Sequence, residues 1–258
     1  MIGIIGAGQM GGALIKRFIH SSKFSAKDIL VKGGKSNTAK KLQEELQFNL
    51  TDTLNDFEDC QMIILATNNA SILSVLTDLG DRIKEKQIPI LSVAAGVSLK
   101  DMQEIMGEMY PLAHCIPNTP VQVNEGILAI TYVETIESEK KQTMQAILSV
   151  LGRIVEVPEI QLDIFGTIAG CGPAFVDVFI EALSDAAVLN GMPRAISYEI
   201  AAQMMKGTAE LALKTNQHPG ELKDSVTSPG GTTIKGIVAL EKNGFRHAVI
   251  DGINEIMK

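Results

Sequence analysis

Short apolar runs rich in β-branched residues recur along the first part of the chain, separated by stretches whose apolar positions fall three and four apart. Met1-Ile2-Gly3-Ile4-Ile5 predicts a buried strand, and Met10, Ala13, Leu14 and Phe18 place a helix over residues 9–20. Ile29-Leu30-Val31 predicts a second strand, followed by a helix near residues 37–46. Further strands are predicted at 47–50, 62–66, 90–94, 112–116, 127–132 and 153–157. Helices are predicted over 71–79, from a cap at Ser98 with Asp101 in its first turn, and over 137–151. This alternation predicts an α/β fold: a doubly wound parallel sheet with helices on both faces.

Past Pro158 the alternation stops and helical periodicity takes over. The chain is therefore expected to divide into a sheet domain, residues 1–158, and an all-α domain, residues 159–258. Pro173, after Gly170-Cys171-Gly172, stands where a helix starts. Phe175, Val178, Phe179, Ala182, Leu183, Ala186 and Ala187 continue that helix toward Gly191, while Asp177, Glu181 and Asp185 share a face that reads as a solvated stripe. The next helix, over 195–213, carries the small residues Ala201, Ala202, Gly207, Ala209 and Ala212. Apolar and small surface on this scale points to a second copy of the chain as partner, so a homodimer is expected.

Composition narrows the classes. With 258 residues the chain has room for one large or two modest domains, and its net charge of −7 lacks the basic footprint of a nucleic-acid binder. Cys60, Cys115 and Cys171 are odd in number and lack metal-ligand spacing, so reduced thiols, no metal site and a cytoplasmic location are expected. No basic leader precedes the first strand and no uncharged apolar stretch reaches membrane-spanning length, so neither a secretory signal nor a membrane span is expected.

Two motifs carry chemistry. Gly6-Ala7-Gly8-Gln9-Met10-Gly11 follows the first strand and opens the first helix with Gly-x-Gly-x-x-Gly spacing. In a dinucleotide site the first glycine makes the turn, the second admits a pyrophosphate and the third lets helix and strand pack. The second strand of such folds ends on an acid when the ligand is NAD, whereas here it runs into Lys32-Gly33-Gly34-Lys35-Ser36-Asn37-Thr38. Lys32, Lys35, Ser36, Asn37 and Thr38 are donors suited to a 2′-phosphate, so NADP(H) is favoured, with NAD(H) as the alternative. The competing reading is a polar loop in which Ser36 or Asn37 caps the next helix. Strand ends of a doubly wound sheet add Ala66-Thr67-Asn68-Asn69, Ala95-Gly96 and Pro117-Asn118-Thr119-Pro120 as site candidates. The second motif is Ser228-Pro229-Gly230-Gly231-Thr232-Thr233, a tight turn before a helix with Ile234, Ile237, Val238 and Leu240. Thr232 or Thr233 is expected to cap that helix, whose first amides then seat a carboxylate or phosphate. An ordinary capped turn is the bland alternative.

With both motifs read, the chain resembles the pyrroline-5-carboxylate reductase family over essentially its whole length. The resemblance rests on Gly6-x-Gly8-x-x-Gly11, Ala94-Ala95-Gly96-Val97-Ser98, Pro117-Asn118-Thr119-Pro120, Gly170-Cys171-Gly172-Pro173-Ala174 and Ser228-Pro229-Gly230-Gly231-Thr232-Thr233. It implies reduction of Δ1-pyrroline-5-carboxylate to L-proline with NAD(P)H, by an N-terminal Rossmann domain and a helical domain that interlocks with its twin. Dimers of the family are often assembled further, as a pentamer of dimers. It further implies that Thr233 is catalytic, its hydroxyl bonding the ring nitrogen, and that Ser228, Gly230, Gly231, Thr232 and Thr233 bind substrate. Gly8, Gln9 and Met10 are implied to face the pyrophosphate, with Ala95 and Gly96 at the nicotinamide end. The chain departs from the family pattern at Thr67-Asn68-Asn69 (commonly Val-Lys-Pro), His114 (usually Arg), Ala169 (often Ser) and Cys171 (usually Ser). These departures keep two alternatives in view: a non-catalytic dinucleotide-binding paralogue, and a reductase of a related cyclic imine.

Overall fold

The computed structural model describes residues 1–94 and 96–258. Its sheet is built from β1 (Ile2–Ile5), β2 (Ile29–Lys32), β3 (Asn49–Thr51), β4 (Met62–Leu65), β5 (Ile90–Ser92), β6 (Leu112–Ile116), β7 (Gly126–Tyr132) and β8 (Gly152–Glu156). Between them lie α1 (Gln9–Ile19), α2 (Thr38–Leu46), α3 (Asn69–Asp78), α4 (Asp81–Glu85), α5 (Leu99–Met106) and α6 (Ser138–Leu148). The strands form one eight-stranded sheet in the order β3-β2-β1-β4-β5-β6-β7-β8. All of β1 is buried, as an unalternating apolar strand must be when both faces of a sheet are covered. Its pleat feeds two cores: Ile2 and Ile4 join Leu14 and Phe18 on one face, and Ile5 joins Ile63, Leu76 and Met102 on the other.

The sheet is not wholly parallel, as the alternation had predicted. β6 and β7 are antiparallel, with Cys115 opposite Ile130. Residues 117–125 join them with only a 3-10 turn at Thr119–Val123, too short for the crossover that a parallel pair requires. The chain therefore turns straight back, and β8 then lies parallel to β7.

Contacts divide the chain into compact units Met1–Gly170 and Cys171–Lys258. The strands end near the expected boundary at 158, but α7 (Leu162–Gly166) still belongs to the first unit, with Leu162 buried and Gly166 against Ile116. The second unit contains α8 (Gly172–Leu189), α9 (Arg194–Thr215), α10 (Pro219–Ser225), α11 (Thr232–Lys242) and α12 (Phe245–Met257). Arg194 ties α9 to α8 through Asp185 (2.7 Å) and Ser184 (2.9 Å), so Asp185 is paired rather than merely solvated. The Phe179 and Phe245 rings lie 5.7 Å apart. Neither apolar core includes a residue of this unit, and Leu189 and Leu213 are 86% and 66% exposed. Glu159–Leu189 is a helical run of 31 residues, long and apolar enough by length and composition to cross a membrane. Asp163, Asp177, Glu181 and Asp185 interrupt it, so it is not an uncharged stretch.

Cys60 and Cys115 are buried free thiols, and burial pushes the Cys60 thiol up to about 11 and that of Cys115 further still. Tyr110 is also buried, and its hydroxyl lies 2.8 Å from the Ile88 carbonyl and 3.2 Å from that of Ile83. Tyr110→Phe leaves both carbonyls without that donor and should cost about 1–3 kcal/mol in urea unfolding. An unchanged midpoint would show that the bond contributes nothing net.

Candidate active site

At the end of β1 the chain turns at Gly6, whose φ of +106° disfavours any side chain. The amide of Gly6 donates to the Lys32 carbonyl (2.9 Å), while the amide of Ala66 donates to the Ile5 carbonyl (2.8 Å). A Cβ at Gly6 would lie 2.4 Å from the Ala66 carbonyl oxygen, and one at Gly11 would lie 2.2 Å from the Gly6 carbonyl oxygen. A Cβ at Gly8 would meet nothing within 4 Å. The flanking glycines thus close helix onto strand, and the middle one borders open space.

That space is a cleft of about 550 Å³ at the carboxyl ends of β1, β2 and β4, where the strand order reverses direction. Gly6, Ala7 and Gly8 line it beside Gly34, Lys35, Ser36, Thr38 and Ala39, with Ala66, Thr67, Asn68 and Ser71 completing the wall. Helix α1 starts at Gln9, and no side chain caps its N-cap residue Gly8. The first-turn amides of Gln9, Met10 and Gly11 therefore lack helical partners, which suits a pyrophosphate. α2 also starts without a side-chain cap at Asn37, so the capping alternative is not realised. Ser36 Oγ instead lies 3.0 Å from Thr38 Oγ1. Cleft shape, open amides and hydroxyl and ammonium donors fit a phosphorylated dinucleotide.

Some candidate residues are engaged elsewhere. The Lys32 ammonium donates to the Asp52 carbonyl (2.7 Å), so of the two lysines only Lys35 lines the cleft. α3 begins at Asn69 rather than Ser71, because Asn68 Oδ1 accepts the Ser71 amide (3.1 Å) and hydroxyl (2.7 Å). Asn118 is buried; its Oδ1 accepts the Ile127 amide (2.9 Å) and its Nδ2 donates to the Ala169 carbonyl (3.2 Å). It shapes the hairpin between β6 and β7. Gly96 has φ +79°, and a Cβ there would lie 3.0 Å from Asn69 Nδ2, beside the start of α3. Ala95 lies outside the described residues. Thr38, one of the donors of the loop after β2, lines the cleft, and so do Ala39 and Ser71, which the sequence did not mark. The Asn68-x-x-Ser71 capping spacing was the available signal for the last.

In the second unit, the Gly231 amide donates to the Ser228 carbonyl (3.0 Å) and Gly230 has φ +70°, closing the turn before α11. The N-cap is Gly231, not a threonine: α11 starts at Thr232, and no side chain caps it. Thr232 and Thr233 occupy the first helical turn with exposed side chains. The open amides are consequently those of Thr232, Thr233 and Ile234, the Gly231 amide being spent on the turn. A Cβ on Gly231 would lie 2.4 Å from Ser228 Oγ, so the Ser228 hydroxyl stands directly over the helix start. Here a carboxylate would find amides, a hydroxyl and the positive end of the helix dipole together.

Residues 159–258 match the family described as pyrroline-5-carboxylate reductase dimerisation, and residues 1–96 match one described as NADP oxidoreductase, coenzyme F420-dependent. The chain is 37% identical over 255 residues to the pyrroline-5-carboxylate reductase of Synechocystis, covering 98% of this chain and 94% of that protein. The chain belongs to the pyrroline-5-carboxylate reductase family. The Escherichia coli reductase is 34% identical over 258 residues, covering 100% of this chain and 96% of its own. The crystal structure of the Plasmodium falciparum pyrroline carboxylate reductase with NADP bound matches with a TM-score of 0.84 at 30% identity, over 99% of this chain and 94% of that one. Within the reductase family, the departures at Asn68 and His114 fall on residues whose polar atoms have local work in this chain, as a helix cap and a bond to the Ala94 carbonyl.

The glycines separate folding from binding. Gly8→Val should leave the melting temperature near that of the parent while weakening dinucleotide binding at least about tenfold, since its side chain fills only ligand space. Gly11→Ala should instead destabilise the fold by about 1–3 kcal/mol, as its Cβ meets backbone. Titration calorimetry and thermal melts distinguish the two, and equal effects at both positions would contradict the assignment.

Proposed function

We propose that this protein reduces Δ1-pyrroline-5-carboxylate to L-proline, the last step of proline biosynthesis, with NADP(H) as its preferred coenzyme. The observation that carries the reading is the open helix start at Thr232–Ile234, set beside the Ser228 and Thr233 hydroxyls within a full-length member of the reductase family. The coenzyme, when bound, supplies the hydride. Gly6, Gly8, Gln9, Met10 and Gly11 hold its pyrophosphate, Lys35 and Ser36 its 2′-phosphate, and Ala66, Thr67, Asn68, Ala95 and Gly96 border its path toward the nicotinamide. Lys32, with its ammonium on Asp52, contributes through the backbone of β2.

The substrate is small, rigid and ionised at one end, so two anchors fix it. Its carboxylate sits on the amides of Thr232 and Thr233 with the Ser228 hydroxyl, while Gly230 and Gly231 shape that seat. The Thr233 hydroxyl hydrogen-bonds the ring nitrogen. A protonated imine nitrogen makes the neighbouring carbon electrophilic; as hydride adds there, the C=N π electrons pass to nitrogen, which keeps its proton as the amine. The protein's contribution is orientation and electrostatic steadying, without a covalent intermediate.

Residues 1–158 serve in this reading as the dinucleotide-binding domain and residues 159–258 as the dimerisation and substrate-binding domain. The exposed apolar side chains of α8 and α9 support a homodimer, with a pentamer of dimers as the higher assembly. The unpaired thiols agree with a cytoplasmic location.

Loss of NADPH absorbance in the presence of pyrroline-5-carboxylate tests the activity directly. Thr233→Val should lower kcat/KM by about 1.5–3 kcal/mol of transition-state stabilisation, roughly ten- to 150-fold. Unchanged turnover would make the hydroxyl dispensable. Tight NADPH binding without turnover on any cyclic imine would favour the binding paralogue, and faster turnover of a six-membered ring would favour the related reductase. Lys35→Ala should raise KM for NADPH several-fold, about 1 kcal/mol, and leave KM for NADH unchanged. Equal effects on both coenzymes would remove Lys35 from 2′-phosphate recognition.

A further inference from the structure

The loop between β5 and α5 brings Gly96 beside Asn69, which follows the cleft-lining Asn68. Both of its ends are held by side chains that face each other. At the first end, His114 Nε2 lies 2.9 Å from the Ala94 carbonyl oxygen. A carbonyl only accepts, so Nε2 carries the proton and donates. At the other end, Glu159 Oε1 accepts the Leu99 amide at 2.6 Å. Leu99 is the first residue of α5, so this carboxylate takes up an amide that the helix leaves open.

His114 is itself buried, 5% exposed, in the middle of β6. Among the described residues its Nδ1 has no hydrogen-bond partner, and the same Glu159 Oε1 stands 3.8 Å away. A buried ring nitrogen left in this way is costly unless the group it faces is worth keeping. Ser98 adds a reciprocal cap with Asp101, whose carboxyl is held below the usual carboxylate range by the Ser98 hydroxyl and then its amide. The α5 end is thus capped by side chains from both sides, and among the described residues the Ala94 carbonyl is bonded by the His114 imidazole.

We infer that His114 and Glu159 act as paired positioning residues that clamp both ends of the loop between β5 and α5 and so hold Gly96 beside Asn69, the neighbour of the cleft-lining Asn68. Neither residue lines the cleft. The inference rests on the coenzyme reading only for its purpose; the clamp stands on the geometry. Its effect belongs to the nicotinamide end of the coenzyme, because the adenosine end is served by the loops after β1 and β2.

Amide hydrogen exchange on the free protein tests the clamp, and nucleotide binding tests its purpose. In His114→Phe and in Glu159→Ala, exchange at Leu99 should quicken at least about tenfold while β1 stays protected. Both variants should bind NADPH about tenfold more weakly yet bind 2′-phosphoadenosine diphosphoribose, which lacks nicotinamide, within about twofold of the parent. Parent-like exchange at Leu99 in His114→Phe overturns the pairing. Equal weakening of NADPH and the fragment also overturns it, because that marks a general loss of the cleft. Should His114→Phe fail to fold, Glu159→Ala decides alone, since that carboxylate is 38% exposed; parent-like exchange and NADPH affinity there would sink the clamp. A parent that binds neither nucleotide refutes the coenzyme reading, and the exchange result still judges the clamp.

Discussion

A close backbone approach at the end of β1 governs the rest of the structure. The Gly6 carbonyl occupies the place a side chain on Gly11 would need, and the backbone of Ala66 and Thr67 occupies the place a side chain on Gly6 would need. α1, β1 and the end of β4 are therefore drawn together with no atoms to spare. That contact leaves the first-turn amides of α1 without a side-chain cap beside open space at Gly8. Burial on both faces of β1 supplies the rigidity that keeps the turn in place.

A different economy holds in the second unit. Its helices meet through an ion pair, a ring contact and small residues rather than through a core of their own. Side chains such as Val178, Leu189 and Leu213 remain exposed, a composition suited to helices that complete their burial against another chain. The same unit carries the Ser228–Thr233 turn, where the functional element is backbone: three amides that nothing in the helix can satisfy. A side chain at 231 would displace Ser228 Oγ from its place over the helix start.

Much of this was legible in the sequence because it is written in local periodicity. The strands lie within a residue or two of their predicted places, and the opening glycines are assigned to turn and packing by their spacing together with their place between a strand and a helix. What escaped depends on contacts between distant residues or on competition for a single group. The antiparallel β7 follows from the brevity of residues 117–125, a connection length that apolar patterning does not weigh. Lys32 looked like a phosphate ligand until β3 placed the Asp52 carbonyl within its reach. Asn68 and Gly231 carry groups suited to ligands, yet the first spends its oxygen on the α3 cap and the second its amide on the turn. The threonines of the last motif were expected to cap α11 and instead lie inside it, which leaves more amides open than a capped helix would.

The central claim is that this chain moves a hydride from a reduced dinucleotide to the imine carbon of a cyclic amino acid. Supplying NADPH deuterated at the transferable position of nicotinamide C4, together with unlabelled pyrroline-5-carboxylate, tests it with one mass and NMR measurement. The account predicts L-proline carrying a single deuterium on the ring carbon beside nitrogen. Proline without the label, or no proline while the coenzyme stays reduced, would contradict it.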